Sequence, residues 1–344
     1  MKEFIAKLSE YKDLSTEETE RAMKIIMGGK ATNSQIASFL TALRMKGETT
    51  EEISACARIM KKLGERINPR VRGTLVDTCG TGGDKIKTFN ISTVAAFIAA
   101  GAGIPIAKHG NRSVTSKAGS ADLLEALGVK IDCSPKKVQQ CIEKAGIGFM
   151  FAPKFHKAMK HVIVPRKEIG IRSIFNVLGP LTNPSNAQAQ VLGVFDPSLT
   201  KRLAQALEQL NVEKALVVHG LDGLDEISTF GITQISELNS KVIKTYEVKP
   251  EEFNFRRATI GDLKGGDADY NANITIDLLK NGLKGPMRDV VILNASAAIY
   301  IGGNAGSIEN GISIAEESID SGKAYLKLAM LVKETGGDLT KLGE

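Results

Sequence analysis

Residues 77–93 read DTCGTGGDKIKTFNIST, and this stretch places three glycines within four residues. The apolar run 74–76 precedes it, and Asn90-Ile91-Ser92-Thr93 begins a long apolar segment. Consecutive glycines let backbone amides converge on an anion without a clash from a Cβ atom. The start of a helix also favours negative charge, because its first amides lack partners and its dipole is positive there. The stretch therefore predicts a strand, an anion-binding loop and a helix.

This glycine loop differs from the common nucleotide-binding motifs. The chain contains no G-x-x-x-x-G-K-[ST] string, and the dinucleotide pattern G-x-G-x-x-G fails because its third glycine is replaced by Lys85. The usual phosphoribosyltransferase loop has two acids after an apolar strand, whereas only Asp77 follows this one. An anion loop of another kind is predicted, and an ordinary tight turn between strand and helix is the alternative for this loop taken by itself.

Two further polar clusters follow predicted strands. The segment 108–120, which begins KHGNR and continues with hydroxyl side chains and glycine, comes after the apolar run 104–107. The segment 220–226, which ends in Asp225-Glu226, comes after the apolar run 215–218. Open α/β sheets bind ligands at the carboxyl ends of their strands. The glycine loop and the segment 108–120 together therefore indicate a phosphate-binding site. The adjacent carboxylates predict a magnesium site beside a polyphosphate, with a solvated turn as the alternative.

The first 65 or so residues predict helices only. Three capping boxes, in which a hydroxyl and a carboxylate or amide satisfy the free amides at a helix start, precede helical apolar spacing. A helical domain is expected over residues 1–70, and its spare apolar faces predict the contact of a homodimer. The capping boxes are Ser15/Glu18, Thr32/Gln35 and Thr49/Glu52.

From about residue 73 onward, short apolar runs alternate with helical patterns, which is typical of an α/β domain with a mostly parallel central sheet. This second domain is expected over residues 71–344. The stretch 151–183 mixes charge, glycine and proline. It predicts an irregular segment, and part of 151–185 is expected to rejoin the helical domain. The predicted strands are 74–77, 104–107, 190–195, 215–218 and 241–248, and the predicted helices are 92–102, 120–127, 199–210, 289–301 and a helical region over 308–332.

Composition narrows the class of protein. Of the 344 residues, 42% are hydrophobic and 24% charged, as in ordinary globular proteins. No run of about 18 apolar residues occurs, which predicts no membrane span. The N-terminal stretch 1–18 carries acids and no uninterrupted apolar core, so no signal peptide and a cytoplasmic location are expected.

Charge and metal-binding residues point to small anionic substrates. The net charge of +6 is spread along the chain, and aromatic residues make up only 5% with no tryptophan, so no nucleic-acid partner is expected. The histidines are scattered without metal-motif spacing to a cysteine, and no C-x-x-C pair occurs, so neither a zinc site nor a disulfide framework is predicted. The cysteines are Cys56, Cys79, Cys133 and Cys141.

Six motifs in order make the chain resemble the anthranilate phosphoribosyltransferase family of tryptophan biosynthesis. The resemblance covers nearly the whole chain. It implies a nucleoside phosphorylase-like fold, with a small helical domain beside a large α/β domain, and a homodimer formed through the helices. It also implies transfer of phosphoribose from phosphoribosyl pyrophosphate (PRPP) to the amine of anthranilate. The motifs are Asp77-x-x-Gly80-Thr81-Gly82-Gly83-Asp84, Asn90–Thr93, Lys108–Arg112, Gly119–Asp122, Leu178–Pro184 and Leu224–Glu226.

The resemblance also implies roles for individual residues. Gly80 and Thr81 would lie near both substrates, and anthranilate would contact Gly80, Asn111 and Arg166. Magnesium, as two ions bound with PRPP, would be held by Ser92, Asp225 and Glu226. No catalytic residue is certain from the residues themselves, although His109 is a candidate to accept the amine proton. The PRPP-binding residues would be Gly80, Gly83, Asp84, Thr88, Asn90, Ile91, Ser92, Thr93, Lys108, His109, Gly110, Asn111, Arg112, Ser113, Val114, Thr115, Ser116 and Ser120.

Two positions depart from the family pattern. Lys85 stands where the family usually has glycine, which predicts a bulkier and more cationic loop. Lys157 stands where the family's His-Pro-Ala-Met-Lys turn has proline, which predicts a different turn at the entrance for anthranilate. Two other functions remain open: a pyrimidine nucleoside phosphorylase, which would need a different Lys-His-Ser-type loop, and a non-enzymatic paralogue that binds nucleic acid, which would have lost the loop residues.

Overall fold

The chain begins with a bundle of four helices. The computed structural model describes residues 1–83, 86–113, 117–280 and 282–343. All three predicted capping boxes are confirmed, each with both reciprocal hydrogen bonds, and they start the second, third and fourth helices. The four helices are α1 (Lys2–Ser9), α2 (Thr16–Met27), α3 (Asn33–Lys46) and α4 (Thr50–Leu63).

A seven-stranded sheet follows, with the strand order β3-β2-β1-β4-β5-β6-β7. The first five strands pair in parallel, and β6 and β7 pair antiparallel at one edge. The predicted α/β class with a mostly parallel sheet is therefore confirmed. The strands are β1 (Val76–Gly80), β2 (Ile106–Gly110), β3 (Ile147–Phe151), β4 (Ala189–Gly193), β5 (Lys214–Gly220), β6 (Thr233–Asn239) and β7 (Val242–Val248).

The remaining helices cover the two faces of the sheet or connect its strands. Among the described residues, none of the helices is long and apolar enough to cross a membrane. These helices are α5 (Ile91–Gly101), α6 (Ser120–Ala126), α7 (Pro135–Ala145), α8 (Ala152–Phe155), α9 (Lys160–Ile169), α10 (Phe175–Leu181), α11 (Leu199–Gln209), α12 (Ala268–Leu279), α13 (Pro286–Ile301), α14 (Ile308–Asp320) and α15 (Lys323–Thr335).

The stretch 151–183 is helical, so the prediction of an irregular segment is wrong. It contains α8, α9 and α10, and Pro165 and Pro180 lie inside the last two. Proline removes a backbone donor and normally ends a helix, which is why the sequence indicated irregular structure. Helix α9 packs against α3 and α2 of the N-terminal bundle. The stretch thus leaves the sheet and contacts the bundle.

The apolar core lies on both faces of the sheet. On one face, β-strand residues pack with α5, α13 and α15. On the other face, Leu192 of β4 and Val217 of β5 share one apolar cluster with Leu203 of α11 and with Phe39 and Ile53 of the bundle. The bundle is therefore attached to the sheet through a common core.

The chain reverses its direction of strand addition beside β1. It adds β2 and β3 on one side of β1 and then returns to add β4 and β5 on the other. In open α/β sheets, ligands bind in the crevice beyond the carboxyl ends of the strands at this reversal. The fold therefore places the expected crevice beyond the ends of β1 and β4.

Candidate active site

Four neighbouring strands end in glycine at the same edge of the sheet. These are Gly110 of β2, Gly80 of β1, Gly193 of β4 and Gly220 of β5. The segments that leave β1, β2 and β5 are the three polar clusters singled out in the sequence. The fold therefore brings the three clusters to one edge.

The glycine loop adopts backbone conformations that suit an anion nest. Gly82 and Gly83, with φ of +67° and +87°, lie in the left-handed region that favours glycine. The loop is tied to β4, because the Thr81 amide donates to the Gly193 carbonyl at 2.9 Å and the Phe195 amide donates to Thr81 Oγ1 at 3.2 Å. Asp84 and Lys85 lie outside the described residues.

The acidic loop after β5 lies directly over the ends of β1 and β4. A Cβ atom on Gly193 would be 1.6 Å from the Asp225 carbonyl oxygen, so no other residue fits there. A Cβ atom on Gly80 would be 2.9 Å from Asp225 Oδ2, which places this carboxylate beside the start of the glycine loop. Sequence reasoning missed Gly193, since nothing local to a strand end signals a neighbour that is distant in sequence.

Ser92, Lys108 and Glu226 meet at the N-terminus of α5. The Ser92 amide donates to Glu226 Oε1 at 3.1 Å. Lys108 Nζ donates to the Thr78 carbonyl at 2.5 Å and to Ser92 Oγ at 3.4 Å. Lys108 is 3% exposed. Burial lowers the pKa of its ammonium group, and the carboxylates of Asp77 and Glu226 oppose that change.

The three residues expected to hold magnesium fit that ion. Ser92 and Glu226 are hydrogen-bonded to each other, and Asp225 precedes Glu226 on the same loop. Their donors are oxygen atoms, which Mg²⁺ prefers, and Mg²⁺ usually takes only one or two carboxylates and completes its shell with water and phosphate oxygens. Within the described ranges, no group of three or more His, Cys, Asp and Glu side chains is placed to hold a metal ion. One hydroxyl and two adjacent carboxylates suit an ion that arrives with a phosphate ligand.

His109 and Asp77 form a buried floor beneath this edge. Asp77 accepts hydrogen bonds from the His109 amide at 3.3 Å and from Gln190 Nε2 at 3.1 Å. His109 Nδ1 lies 3.2 Å from the Gly179 carbonyl, so Nδ1 carries the proton. Its Nε2 is buried and has no hydrogen-bond partner in the part of the chain that the structure describes. Burial, assisted by the nearby His156 ring, lowers the pKa of His109 to about 3, so the ring is neutral near pH 7.

Asp122 holds both ends of the second polar loop. Its Oδ2 accepts the Ser113 amide at 3.0 Å and the Gly119 amide at 2.8 Å. Its Oδ1 accepts Arg112 Nη1 at 2.9 Å, and Arg112 also contacts Glu125 at 2.5 Å. Sequence reasoning placed Asp122 in a motif without assigning it a role. The signal was available, because an acid three residues after Gly119 has the spacing of a capping box.

Comparison with known proteins decides the family. A glycosyl transferase family α/β domain matches residues 72–325, and the helical bundle domain of the same family matches residues 2–64. The anthranilate phosphoribosyltransferase of Acetivibrio thermocellus is 56% identical over 335 residues, which cover 97% of this chain and 96% of that protein. The chain belongs to the anthranilate phosphoribosyltransferase family.

Solved structures of this family share the fold over nearly the whole chain. The anthranilate phosphoribosyltransferase of Thermus thermophilus superposes with a TM-score of 0.92 at 42% identity, covering 97% of this chain and 99% of that one. The Saccharomyces cerevisiae protein, in complex with PRPP and Mg, superposes with a TM-score of 0.88 at 28% identity, covering 97% of each chain. A further structure of the yeast protein contains 4-fluoroanthranilate.

The other residues that the family pattern would assign to PRPP, where the structure describes them, lie in the segments that follow β1 and β2. The Asn90 side chain donates to the Ala118 carbonyl at 3.1 Å, and Ser120 Oγ donates to the Asn111 carbonyl at 3.3 Å. Ile91 and Thr93 are each 1% exposed, so their side chains are buried. Thr88 forms a single bridge with Lys264. Val114, Thr115 and Ser116 lie outside the described residues.

Two arginines near the site, Arg166 and Arg172, have different surroundings. Arg166 lies half-buried in the last turn of α9, with its guanidinium 5.3 Å from the centre of the Phe175 ring. Burial lowers the pKa of Arg166, and its side chain makes no ion pair with any residue in the described ranges. Arg172 instead stacks on Phe195 at 4.0 Å and donates to the Gly83 carbonyl at 3.1 Å. Arg172 is therefore bound to the glycine loop.

Lys157, the second departure from the family pattern, lies at the surface. Its ammonium forms an ion pair with Glu65 at 3.1 Å, in the segment that joins α4 to the sheet. The turn 157–159 is a short 3-10 helix. Lysine at this position therefore adds a surface contact between the turn and that segment.

Proposed function

We propose that this chain transfers phosphoribose from PRPP to the amine of anthranilate. The products would be N-(5-phosphoribosyl)anthranilate and pyrophosphate, in the second step from chorismate in tryptophan biosynthesis. The proposal makes the chain a pentosyltransferase. The observation that carries it is the meeting of a glycine loop, a basic loop and an acidic pair at one edge of the sheet. A polyphosphate substrate with its metal needs these three elements together.

The glycine loop and the start of α5 would bind the phosphate groups of PRPP. Their free amides and the helix dipole favour negative charge. Lys108 adds a buried ammonium at the same place, 3.4 Å from Ser92 Oγ. A charge that is shielded from water acts more strongly on a neighbouring anion than an exposed one does. Lys108 is therefore proposed to stabilise the charge that develops on the leaving pyrophosphate.

Ser92, Asp225 and Glu226 would hold magnesium, and we propose two ions bound with PRPP. When bound, magnesium would neutralise part of the negative charge on the pyrophosphate group. The three residues are already arranged by the fold, because the Ser92 amide holds the Glu226 carboxylate and the two strand-end glycines leave room for Asp225. We expect little magnesium binding to the protein alone, since the protein supplies too few ligands.

The reaction needs positioning more than it needs a protein nucleophile. The amine of anthranilate forms a bond to C1 of the ribose while the bond from C1 to pyrophosphate breaks with its electrons, through an oxocarbenium-like transition state. The amine nitrogen then releases one proton to solvent water. The chain supplies fixed amides and the Lys108 ammonium, and it holds the two substrates in line. His109 is buried, and its pKa lies at about 3. We therefore propose that His109 shapes the floor of the site, with no role as a base.

Arg166 is proposed to bind the carboxylate of anthranilate. A guanidinium reads a carboxylate with two parallel hydrogen bonds and keeps its proton at any ordinary pH. Arg166 is half-buried beside Phe175, so an aromatic ligand beside it would be partly shielded from water. Gly80 and Asn111, at the ends of β1 and β2, are proposed to contact the same substrate.

A homodimer through the helical domain is also proposed, and the domain division at about residue 70 stays a prediction. Large apolar side chains are exposed on two helices that pack together: Met45 on α3 at 66%, and Ile163 and Val164 on α9 at 57% and 50%. Exposed apolar surface of this kind commonly marks a protein contact. A cytoplasmic location likewise stays a prediction.

The activity is tested by the loss of anthranilate fluorescence with PRPP and magnesium. The purified chain should consume anthranilate, and the variant Asp225→Asn/Glu226→Gln should lose turnover while keeping its melting temperature. No fluorescence loss at any pH would contradict the proposal. Phosphorolysis of a pyrimidine nucleoside by the same preparation would favour the phosphorylase alternative.

A further inference from the structure

A chain of side-chain amides joins the bases of the two phosphate loops. Asn90 ends the glycine-loop segment at the start of α5, and Ala118 ends the second loop just before α6. Asn90 Nδ2 donates to the Ala118 carbonyl at 3.1 Å. Asn271 of α12 donates through Nδ2 to Asn90 Oδ1 at 3.0 Å, and its own Oδ1 accepts the Gly266 amide at 2.8 Å.

The order of donors and acceptors determines how each amide is oriented. The Gly266 N–H can only donate, so it holds the oxygen of Asn271 and turns the Asn271 NH₂ group toward Asn90. The Asn90 oxygen must then face Asn271, and its NH₂ group must face the Ala118 carbonyl. Asn271 is 2% exposed, which leaves little access for water to replace it. Asn271 therefore sets the direction of the bond that joins the loops.

The segment that supports Asn271 is itself attached to the glycine-loop segment. The Phe89 amide donates to the Leu263 carbonyl at 3.3 Å, and the Gly265 amide donates to the Lys87 carbonyl at 3.1 Å. Residues 263–266 thus lie along residues 87–89. Three separate segments meet at Asn90 and Asn271: the end of the glycine loop, the end of the second loop, and the segment before α12.

We propose that Asn271 is a positioning residue for PRPP, acting through Asn90 to hold the two loops at a set separation. This inference rests on the proposed function, since it takes PRPP as the ligand of both loops. Asn271 contacts Asn90 at the base of the glycine-loop segment. Its loss should weaken PRPP binding. The affinity for anthranilate should change little, because its carboxylate is expected to be bound by Arg166 on α9.

The test measures both Michaelis constants for Asn271→Ala and Asn271→Asp. The aspartate variant keeps the acceptor for the Gly266 amide and replaces the donor that faces Asn90 with a second oxygen. Both variants should raise the KM for PRPP about five- to thirty-fold and leave the KM for anthranilate within about two-fold. The matched control is Thr275→Val. Thr275 is fully buried one turn further along α12, and its Oγ1 donates to the Asn271 carbonyl at 2.8 Å, so its variant removes a hydrogen bond to Asn271 and keeps both side-chain amides.

A double variant separates positioning from general damage. In an Asn90→Ala background, Asn271→Ala should cause little further rise in the KM for PRPP, because the hydrogen bonds from Asn271 through Asn90 to Ala118 are already lost. An equal rise in both backgrounds would contradict the inference, as would constants that match those of Thr275→Val. The proposed function fails separately, if the unmodified chain does not consume anthranilate with PRPP. A variant effect confined to PRPP in an active enzyme supports both.

Discussion

Arg166 is the residue whose role in substrate choice can be tested most directly. Anthranilate carries a carboxylate that aniline lacks, and the Arg166 guanidinium, which has no ion-pair partner in the described ranges, is suited to bind it. Losing one charged hydrogen-bonded contact costs about 2–4 kcal/mol, or roughly thirty- to a thousand-fold in kcat/KM. Arg166→Ala should therefore raise the KM for anthranilate strongly and leave the KM for PRPP nearly unchanged in steady-state kinetics.

Lys167 provides the matched control for that measurement. It follows Arg166 on α9, carries the same charge and is exposed to solvent. Lys167→Ala should leave both constants close to those of the unmodified enzyme. If Arg166→Ala moves both constants together, or only the PRPP value, the carboxylate is bound by another residue.

The two buried histidines predict a loss of stability in mild acid. Burial lowers the pKa of His109 to about 3 and that of His156 to about 4. An unfolded histidine titrates near pH 6.5, so below about that pH the unfolded chain binds protons that the folded chain does not. Stability should be full above about pH 6.5 and should fall by about 1.4 kcal/mol per pH unit for each histidine as the pH decreases toward the folded pKa values.

Urea unfolding of the unmodified chain and of His109→Gln/His156→Gln measures this effect. Between about pH 7 and about pH 5, the unmodified chain should lose about 4 kcal/mol more than the double variant, since the carboxyl groups are common to both. Parallel losses in the two proteins would show that the histidines do not titrate as expected.

At the level of the elements, local signals predicted the strands that carry the site and missed others. The strands β1, β2, β4 and β5 were predicted within a few residues, because apolar runs there end in polar or glycine-rich turns, and β7 was predicted because its residues alternate with the period of a strand. The strands β3 and β6 were missed. The β3 run is a five-residue apolar segment of a kind that periodicity alone cannot distinguish from a buried helix.

Helix α7 was also missed, although its sequence contained the signals. Ser134 caps it, Pro135 occupies its first turn, and Gly146 ends it in the left-handed conformation. These are ordinary start and stop signals. Helix α9 is different, since Pro165 lies inside it and the helix packs against α2 and α3 of the bundle. A helix stabilised by tertiary contacts cannot be read from local propensity.

The site also combines features that local sequence signals indicate with features that depend on tertiary contacts. The sequence indicated that the segments containing Ser92, Lys108 and Glu226 come together, because each residue lies in one of the quoted motifs and the family resemblance implies that Ser92 and Glu226 share a magnesium site. The contact of Arg172 with Gly83 and that of Asp225 with Gly193 could not be predicted. They join residues that are far apart in sequence, and only the strand order brings them together.

The conformation of the second phosphate loop should depend on Asp122, which accepts hydrogen bonds from both ends of that loop. Asp122→Ala would remove at once the acceptor of the Ser113 and Gly119 amides and one of the two carboxylates that contact Arg112. We expect the KM for PRPP to rise at least about ten-fold, since losing several hydrogen bonds to a carboxylate costs more than about 1.5 kcal/mol. Calorimetric titration with PRPP and magnesium should show the same loss of affinity.

Glu125 provides the control for Asp122. It also contacts Arg112, and no hydrogen bond to a loop amide is found for it among the described residues. Glu125→Gln should leave the affinity for PRPP within about two-fold, because a partly exposed ion pair contributes less than about 1 kcal/mol. Equal losses of affinity for Glu125→Gln and Asp122→Ala would assign the effect to Arg112. They would contradict the prediction that Asp122 holds the loop through its amides.

At the scale of the whole molecule, the helical bundle is bound to the sheet through a shared apolar core, yet it keeps apolar side chains on its outer surface. Phe39 and Ile53 contribute to the core that also contains Leu192 and Val217. Met45 and Ile163 point outward from α3 and α9. Since the inner faces of α3 and α9 pack against each other and against α1 and α2, their outer apolar residues are available to a second copy of the chain.

Charged substitutions at these outer positions should therefore produce monomers. Met45→Glu/Ile163→Glu would place carboxylates in an interface that two-fold symmetry makes self-facing, so each charge would meet like charge or apolar surface. Light scattering should report half the mass of the unmodified protein. The control is Val242→Glu/Leu326→Glu, because these residues on β7 and α15 are 56% and 55% exposed, close to the 57% of Ile163. A dimer that persists in the first variant, or is lost in the control, would place the interface elsewhere.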